Sequence, residues 1–356
     1  MSSILDDPQA MKQSDPGGMS AILAGFGRQL EEALKMELDL EISFADGVRN
    51  ILVCGLGGSA IGGDFLRVYL GADLKIPLYV NRHHTLPGFA GPSTLVFICS
   101  YSGDTQETLS AFHEARKAEC LMVCWTSNGQ LLDLAEQHGL PCIRVPAGLP
   151  PRTALGYSTV SLLRVLTRLG LVSDRSKEVE GAVEGVRSCI EACWLETPVA
   201  ENEAKQLALK VHGKIPLIYG SQDRLDVMGA RWRGQFAENG KQLAYSSALP
   251  EMNHNEIVGW QHPEEVLRKL IPIFLRDQDD HPEIQMRIEL TKEILSDKAG
   301  TVLEYQSRGE SWMDRLWSLV VLGDYASLYL AFLNGENPVS VGVIDEFKAR
   351  LSQQPG

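Results

Sequence analysis

Two stretches of the chain place phosphate-binding chemistry directly behind an apolar strand. The first reads Asn50-Ile51-Leu52-Val53-Cys54-Gly55-Leu56-Gly57-Gly58-Ser59-Ala60-Ile61-Gly62-Gly63-Asp64, a buried strand that stops at glycines, then a serine, then a helix start. Helix N-termini offer unpaired backbone N–H groups and a positive dipole end, and glycines let the backbone approach an anion closely. The second stretch, Thr94-Leu95-Val96-Phe97-Ile98-Cys99, runs into Ser100-Tyr101-Ser102-Gly103-Asp104-Thr105-Gln106-Glu107-Thr108, a turn crowded with hydroxyls. Hydroxyls and backbone amides placed after a parallel strand and before a helix make a neutral phosphate cradle that needs neither lysine nor metal. A phosphorylated ligand is the expectation.

Three further stretches carry reactive groups. In Gly148-Leu149-Pro150-Pro151-Arg152-Thr153-Ala154-Leu155-Gly156-Tyr157 the prolines hold Arg152 at a helix start, which suits charge stabilisation beside an anion and equally a solvated arginine at a domain edge. Arg233-Gly234-Gln235-Phe236-Ala237-Glu238-Asn239-Gly240-Lys241 closes a helix, and Pro250-Glu251-Met252-Asn253-His254-Asn255-Glu256-Ile257-Val258-Gly259-Trp260 follows soon after. Four consecutive polar residues, Asn253 to Glu256, are expected to converge on a ligand, which favours a chemical role for His254 over a structural one. The cysteine pairs Cys120/Cys124 and Cys189/Cys193 lack a histidine at zinc-site spacing and read as structural thiols.

The elements that must position these groups follow from length and pattern. A chain of 356 residues suits two domains, because single cores stop growing near about 250 to 300 residues. Strands are expected at 51–54, 77–81, 95–99, 121–126 and 142–145, separated by helical periodicity at 64–70, 107–118 and 130–138, the alternation of a doubly wound parallel α/β sheet. Ile215-Pro216-Leu217-Ile218-Tyr219-Gly220-Ser221 with a helix at 226–238 repeats the theme, with strands at 242–246, 271–275 and 302–306. This implies an internal duplication with a site between its halves. One amphipathic helix is read over 19–38, a polar and disordered start ahead of it, an apolar helix over 153–169, an exposed one over 173–191, a long buried one over 315–333 and a short terminal one over 343–351. The resulting segments are an N-terminal extension and helix (1–40), a first α/β domain (41–190) and a second one with a terminal helix (191–356).

Composition narrows the function classes. The net charge of -13 and a pI near 5.1 argue against a nucleic-acid partner. No apolar run is read as reaching the roughly 20 residues of a membrane span, and the N-terminus lacks a signal peptide's pattern. The seven cysteines are an odd number and include Cys54, Cys99 and Cys124 in or beside apolar strands, as in a reducing compartment. A cytoplasmic location, no membrane partner and no cofactor or metal are expected.

In this order the motifs resemble the bifunctional phosphoglucose/phosphomannose isomerases of the sugar isomerase (SIS) domain superfamily. The resemblance runs from Gly55–Asp64 through Ser100–Leu109, Pro150–Tyr157, Glu238 and Pro250–Trp260 to Leu322-Gly323-Asp324-Tyr325 and Lys348. It implies two SIS-type, flavodoxin-like αβα subdomains and an aldose–ketose isomerase that interconverts glucose 6-phosphate, and mannose 6-phosphate, with fructose 6-phosphate through an enediolate. Glu238 would move the proton between C1 and C2, Arg152 would stabilise the enediolate, and His254 with Lys348 would open the sugar ring. The first domain (41–190) would bind the sugar phosphate, its Gly57 and Gly58 amides with Ser59, Ser100, Ser102 and Thr105 holding the 6-phosphate, and the second (191–356) would end in a catalytic helix. The resemblance also implies a homodimer in which His254 comes from the partner subunit. One departure is Asn337-Pro338-Val339-Ser340, where Val339, or Ser340 at a shifted register, stands for a family threonine near C2, which weakens the expectation for mannose 6-phosphate.

Rival readings are discriminated by residues. A phosphosugar sensor without activity would have no use for Glu238, His254, Arg152 and Lys348 together. A nicotinamide dehydrogenase fails on spacing, since Gly55-Leu56-Gly57-Gly58-Ser59-Ala60 ends in alanine and Asn81 stands where an acid should close the second strand. Isomerases of other phosphosugars, such as the phosphoheptose or arabinose phosphate enzymes, usually have one such domain, not two.

Overall fold

The computed structural model describes residues 4–38, 47–351 and 353. Helices α1 (Pro8–Gln13), α2 (Met19–Ala24) and α3 (Phe26–Lys35) precede a βα alternation of β1 (Asn50–Cys54), α4 (Ile61–Leu70), β2 (Leu78–Asn81), β3 (Thr94–Cys99), α5 (Gln106–Lys117), β4 (Leu121–Thr126), α6 (Gln130–Gln137) and β5 (Cys142–Arg144). Helices α7 (Leu155–Arg168), α8 (Ser176–Ala192) and α9 (Glu203–Val211) lead to the second alternation. This comprises β6 (Ile215–Ser221), α10 (Asp226–Glu238), β7 (Tyr245–Leu249), α11 (Glu256–Gly259), α12 (Glu264–Leu267), β8 (Leu270–Arg276), α13 (Pro282–Ser296) and β9 (Leu303–Gln306), before α14 (Trp312–Asn334) and α15 (Gly342–Leu351).

All strand pairings within the two sheets are parallel, in the orders β2-β1-β3-β4-β5 and β7-β6-β8-β9. The second sheet repeats the first without its last strand, so the duplication read from Gly220-Ser221 is a duplication of topology. β1 and β3 are buried along almost their whole length, as the continuous apolar runs of a doubly covered parallel sheet require.

Several elements depart from the sequence reading. Residues 19–38 form two helices, because the chain turns at Gly25. The polar start is ordered from residue 4: Leu5 and Met11 are fully buried, Asp7 caps α1 through the amides of Gln9 and Ala10, and Lys205 donates to the Leu5 carbonyl at 2.7 Å. Helix α8 is not simply exposed, since Val179, Ala182, Val183, Val186 and Ile190 are buried. The strand read at 242–246 begins at Tyr245, and α9 and α13 have no counterpart among the helices read from the sequence. The domain boundary at residue 40 and the first three residues lie outside the described residues.

One apolar cluster extends from Leu5 to Phe332 and joins both halves, with α14 at its centre. Trp317 of α14 stacks on Phe65 of α4 with ring centroids 4.0 Å apart and meets Phe26 of α3 edge-on. Trp232 of α10 donates to the Leu319 carbonyl at 2.8 Å, and a Cβ at Gly323 would lie 2.2 Å from its indole nitrogen, so only glycine lets α10 and α14 approach this closely. Contrary to the sequence reading, α14 is long and apolar enough to cross a membrane; 94% of that window is buried inside the protein.

The strand ends at β6/β8 are closed by ions. Asp277, 2% exposed, accepts from Arg224 (2.7 Å), Arg315 (2.8 Å) and Ser307 (2.5 Å), while Asp280 accepts from Ser221 at 2.7 Å. Burial pushes the Asp277 carboxyl up, but hydrogen bonds from Ser307, the Asp279 amide and Arg315 outweigh it and hold it below its ordinary value. Asp277→Asn should therefore destabilise the chain by about 2–4 kcal/mol at neutral pH, because two arginines lose their partner. A carboxyl whose pKa is lower folded than unfolded stabilises fully above its unfolded value, about 3.9, and loses that contribution as pH falls through its folded value. Urea unfolding of both proteins should thus show a gap that narrows between about pH 5 and about pH 2; a gap independent of pH would overturn this account.

Candidate active site

In the order β2-β1-β3-β4-β5 the chain leaves β1 toward one edge and β3 toward the other, so the loops after these strands diverge and open a crevice at their carboxyl ends. Both hydroxyl-rich turns sit at this switch point. The Ser59 hydroxyl accepts the Tyr101 amide at 3.0 Å and so ties one turn to the other. Ser100, fully buried, donates to the Thr105 hydroxyl at 3.0 Å and accepts the Gly103 amide at 3.1 Å. Ser102 is exposed, and Thr105 caps α5 without a side-chain hydrogen bond to that helix.

The glycines have separate jobs. Gly57 takes a left-handed conformation, φ 49°, that disfavours side chains. A Cβ at Gly58 would lie 2.5 Å from the Pro151 carbonyl, so this glycine lets the 3₁₀ turn Pro151–Thr153 press directly on the turn after β1. That contact brings Arg152 to the crevice from the loop after β5.

Arg152 is 4% exposed and bonded through all three of its nitrogens. Its Nε donates to Asn239 Oδ1 at 2.6 Å, Nη1 to Glu238 Oε2 at 3.3 Å, and Nη2 to the carbonyls of Pro338 and Val339 at 2.8 and 3.0 Å. Burial lowers its pKa, opposed by the charges of Glu238 and Asp324, and as an arginine it stays a cation. Glu238 ends α10 with its side chain 32% exposed, open to a ligand. Arg152 and Glu238 line a cavity of about 520 Å³ with Gly57 and Gly58.

The same wall includes residues that sequence reasoning passed over. Asp64 of α4 pairs with Arg82 behind β2, and Arg67 pairs with Asp223 and, at 2.7 Å, with Asp226 at the start of α10, so these ions bridge the two sheets' helices across the cavity. Asp64 stands at the end of the glycine run and Asp226 opens the repeated helix, but only tertiary approach pairs them with arginines. Burial raises the Asp64 pKa, opposed by Arg82.

Of the ten expected site residues, Gly57, Gly58, Arg152 and Glu238 line this cavity; Ser59, Ser100, Ser102 and Thr105 stay in the adjoining turns outside its lining, and His254 and Lys348 lie elsewhere. His254 is exposed in a 3₁₀ turn and Lys348 is exposed on α15, a helix with no buried residue among those described. The polar string around His254 does not converge on one point. Asn253 donates to Thr291 at 2.8 Å, Asn255 donates to Glu251 at 2.7 Å and caps α11, and Glu256 accepts from Tyr219 at 2.5 Å. The turn sends neighbouring side chains to different partners and leaves His254 free of hydrogen bonds among the described residues. Val339 offers Arg152 its carbonyl, while its side chain abuts Gly17, where a Cβ would lie 2.5 Å from Cγ2. The seven cysteines are free thiols, and burial pushes the Cys54 thiol up to about 12.

Over 326 residues the chain is 38% identical to the bifunctional phosphoglucose/phosphomannose isomerase of Caldicellulosiruptor bescii, spanning 91% of this chain and 96% of that one. It belongs to that family. The Aquifex aeolicus relative of the same name is 36% identical across 86% of this chain and 91% of its own length. Residues 200–351 match the bacterial phospho-glucose isomerase C-terminal SIS domain, a span that holds Glu238, His254 and Lys348. A crystal structure of a hypothetical protein from Thermus thermophilus has the same fold at TM-score 0.73 and 17% identity, covering 99% of this chain and 95% of that one. The two-sheet α/β fold is thus shared with that structure.

Because Gly58 sets the distance between the turn after β1 and Arg152, Gly58→Ala should displace one or the other. Calorimetry should record at least about a tenfold weaker binding of inorganic phosphate, with a stability loss of about 1–3 kcal/mol from overpacking. Phosphate affinity equal to wild type would sink this assignment.

Proposed function

We propose that this chain interconverts glucose 6-phosphate and mannose 6-phosphate with fructose 6-phosphate through an enediolate, without a metal. The observation that carries the reading is the pairing of Glu238 with Arg152, carboxylate and guanidinium 3.3 Å apart, in the cavity floored by Gly57 and Gly58. Residues 41–190 hold the phosphate through the Gly57 and Gly58 amides, Ser59, Ser100, Ser102 and Thr105. Residues 191–356 supply the base, and residues 1–40 buttress them.

Anchoring the 6-phosphate extends the open-chain sugar toward Glu238. The carboxylate takes a proton from one of C1 and C2 and returns it to the other, while Arg152 stabilises the oxyanion that forms between these steps. A cation whose orientation is preset costs no reorganisation as that charge develops. The Val339 side chain faces Gly17 and supplies no hydroxyl to the cavity, so the mannose reading rests on the family and not on position 339.

His254 protonates the ring oxygen or O1 to open the cyclic sugar, and Lys348 holds the same oxygen. Both reach the cavity from a homodimer, with His254 supplied by the second copy. Exposed apolar residues support such an assembly: Val343 (82% exposed), Phe347 (65%) and Leu351 lie on one face of α15, and Met286, Leu290 and Ile294 on one face of α13, the helix that Asn253 grips. Covering these faces would bury the apolar surface that a lone chain leaves in water.

A coupled assay should show interconversion of both aldose phosphates with fructose 6-phosphate. Glu238→Gln should abolish it, by at least about 10³-fold in kcat, while leaving phosphosugar binding largely intact; normal turnover would refute Glu238 as the base. Binding without turnover by the native chain would favour a sensor instead. Mixing Glu238→Gln with His254→Ala subunits tests the shared site: statistical exchange puts one intact site in half of the dimers and restores about a quarter of wild-type activity. No recovery after confirmed exchange would mean that both groups come from one chain.

A further inference from the structure

Asp324 lies inside α14, 5% exposed, with no contact to the cavity. It accepts Arg231 Nε at 3.0 Å, Arg231 Nη2 at 2.5 Å and Gln235 Nε2 at 2.8 Å. One turn on, the Ser327 hydroxyl donates to the Asp324 carbonyl at 2.6 Å and accepts Asn239 Nδ2 at 2.9 Å. Arg231, Gln235 and Asn239 are four residues apart, so a single face of α10 and its C-cap is pinned to α14.

Two legs run from this seam to Arg152. Arg231 points both terminal nitrogens at the Arg152 carbonyl, each at 3.4 Å, and Asn239 turns its carbonyl oxygen to Arg152 Nε at 2.6 Å. Asn239 can accept from Arg152 only while its amide nitrogen is held by Ser327, which sets the direction of the group. Arg231 can reach the Arg152 backbone only while its own charge is matched, and Asp324 is the carboxylate that matches it.

We propose that Asp324 and Ser327 are positioning residues that aim the Arg152 guanidinium at Glu238 and hence at the reacting carbons. The kinetic consequence rests on the isomerase reading above; the positioning itself does not. Two buried guanidiniums and two carboxylates form one balanced set, in which Asp324 occupies Arg231 and leaves Arg152 to face Glu238 and the substrate. A displacement of Arg152 by a fraction of an ångström would be felt in the chemical step more than in phosphate anchoring, because the phosphate turns are held separately by the Ser59–Tyr101 bond.

The test labels arginine side chains with nitrogen-15 and follows hydrogen exchange at Arg152 Nε, identified as the signal missing from Arg152→Lys. Wild type should protect this proton, and Asp324→Asn and Ser327→Ala should each speed its exchange by at least about tenfold. In the same variants kcat should fall by about tenfold or more with KM changed by less than about threefold, and in the Arg152→Lys background the further loss should shrink below about threefold. Unchanged exchange in Ser327→Ala, or equal kcat losses from Asp324→Asn in both backgrounds, would overturn the proposal. Ser327→Ala decides the matter should Asp324→Asn fail to fold. If wild type turns over neither hexose phosphate, the isomerase reading falls while the exchange measurement still judges the positioning.

Discussion

The arrangement depends on satisfying one buried cation. Arg152 sits in a short turn after the first sheet, yet its hydrogen-bond acceptors come from the end of α10 and from the carbonyls ahead of α15. A guanidinium removed from water must find an acceptor for each donor or impose a cost of several kcal/mol. Meeting that demand draws the second lobe onto the first and brings the segment ahead of α15 with it. The cavity between the lobes exists because this group is held there.

Duplication supplies the frame and divergence supplies the function. Both sheets share the strand order around their switch points, yet the two crevices are used oppositely. At β1/β3 the turns are glycine-rich and hydroxylated, and their carboxylate, Asp104, is turned to the Gln130 amide, which leaves room and donors for an anion. At β6/β8 the equivalent position is filled by Asp277 and Asp280, neutralised by Arg224, Arg315 and two serines, with Arg224 also lying over the Trp312 ring at 4.3 Å. Internal carboxylates there exclude a phosphate by charge and by volume. One half thus keeps an open crevice at its switch point, and the other is a clamp for the start of α14.

Helix α14 links these roles. Its N-terminal turn is fixed by the Asp277 cluster, its middle fills the common core through Trp317, and Asp324 and Ser327 lie on the turns that orient α10. Its composition would suit a membrane, but its polar residues find matched partners inside the protein. A rigid central helix of this kind passes the accuracy of its own packing to the groups that lean on it.

Much of this was legible in sequence because it is local. The apolar strands ending in Gly55 and Cys99, the hydroxyl turns, the helix ending at Glu238 and the repeat at Gly220-Ser221 are set by periodicity and glycine chemistry within a few residues. The order of the motifs further identified the family. Tertiary structure alone decided that Gly58 is small because Pro151 abuts it, that Val339 turns its side chain to Gly17, and that the Asn253–Glu256 string disperses. It alone decided which of the many arginines and carboxylates pair. Those outcomes depend on contacts between residues distant along the chain, and burial, which makes an unpaired charge intolerable, is a property of the folded ensemble of neighbours and not of any segment read by itself.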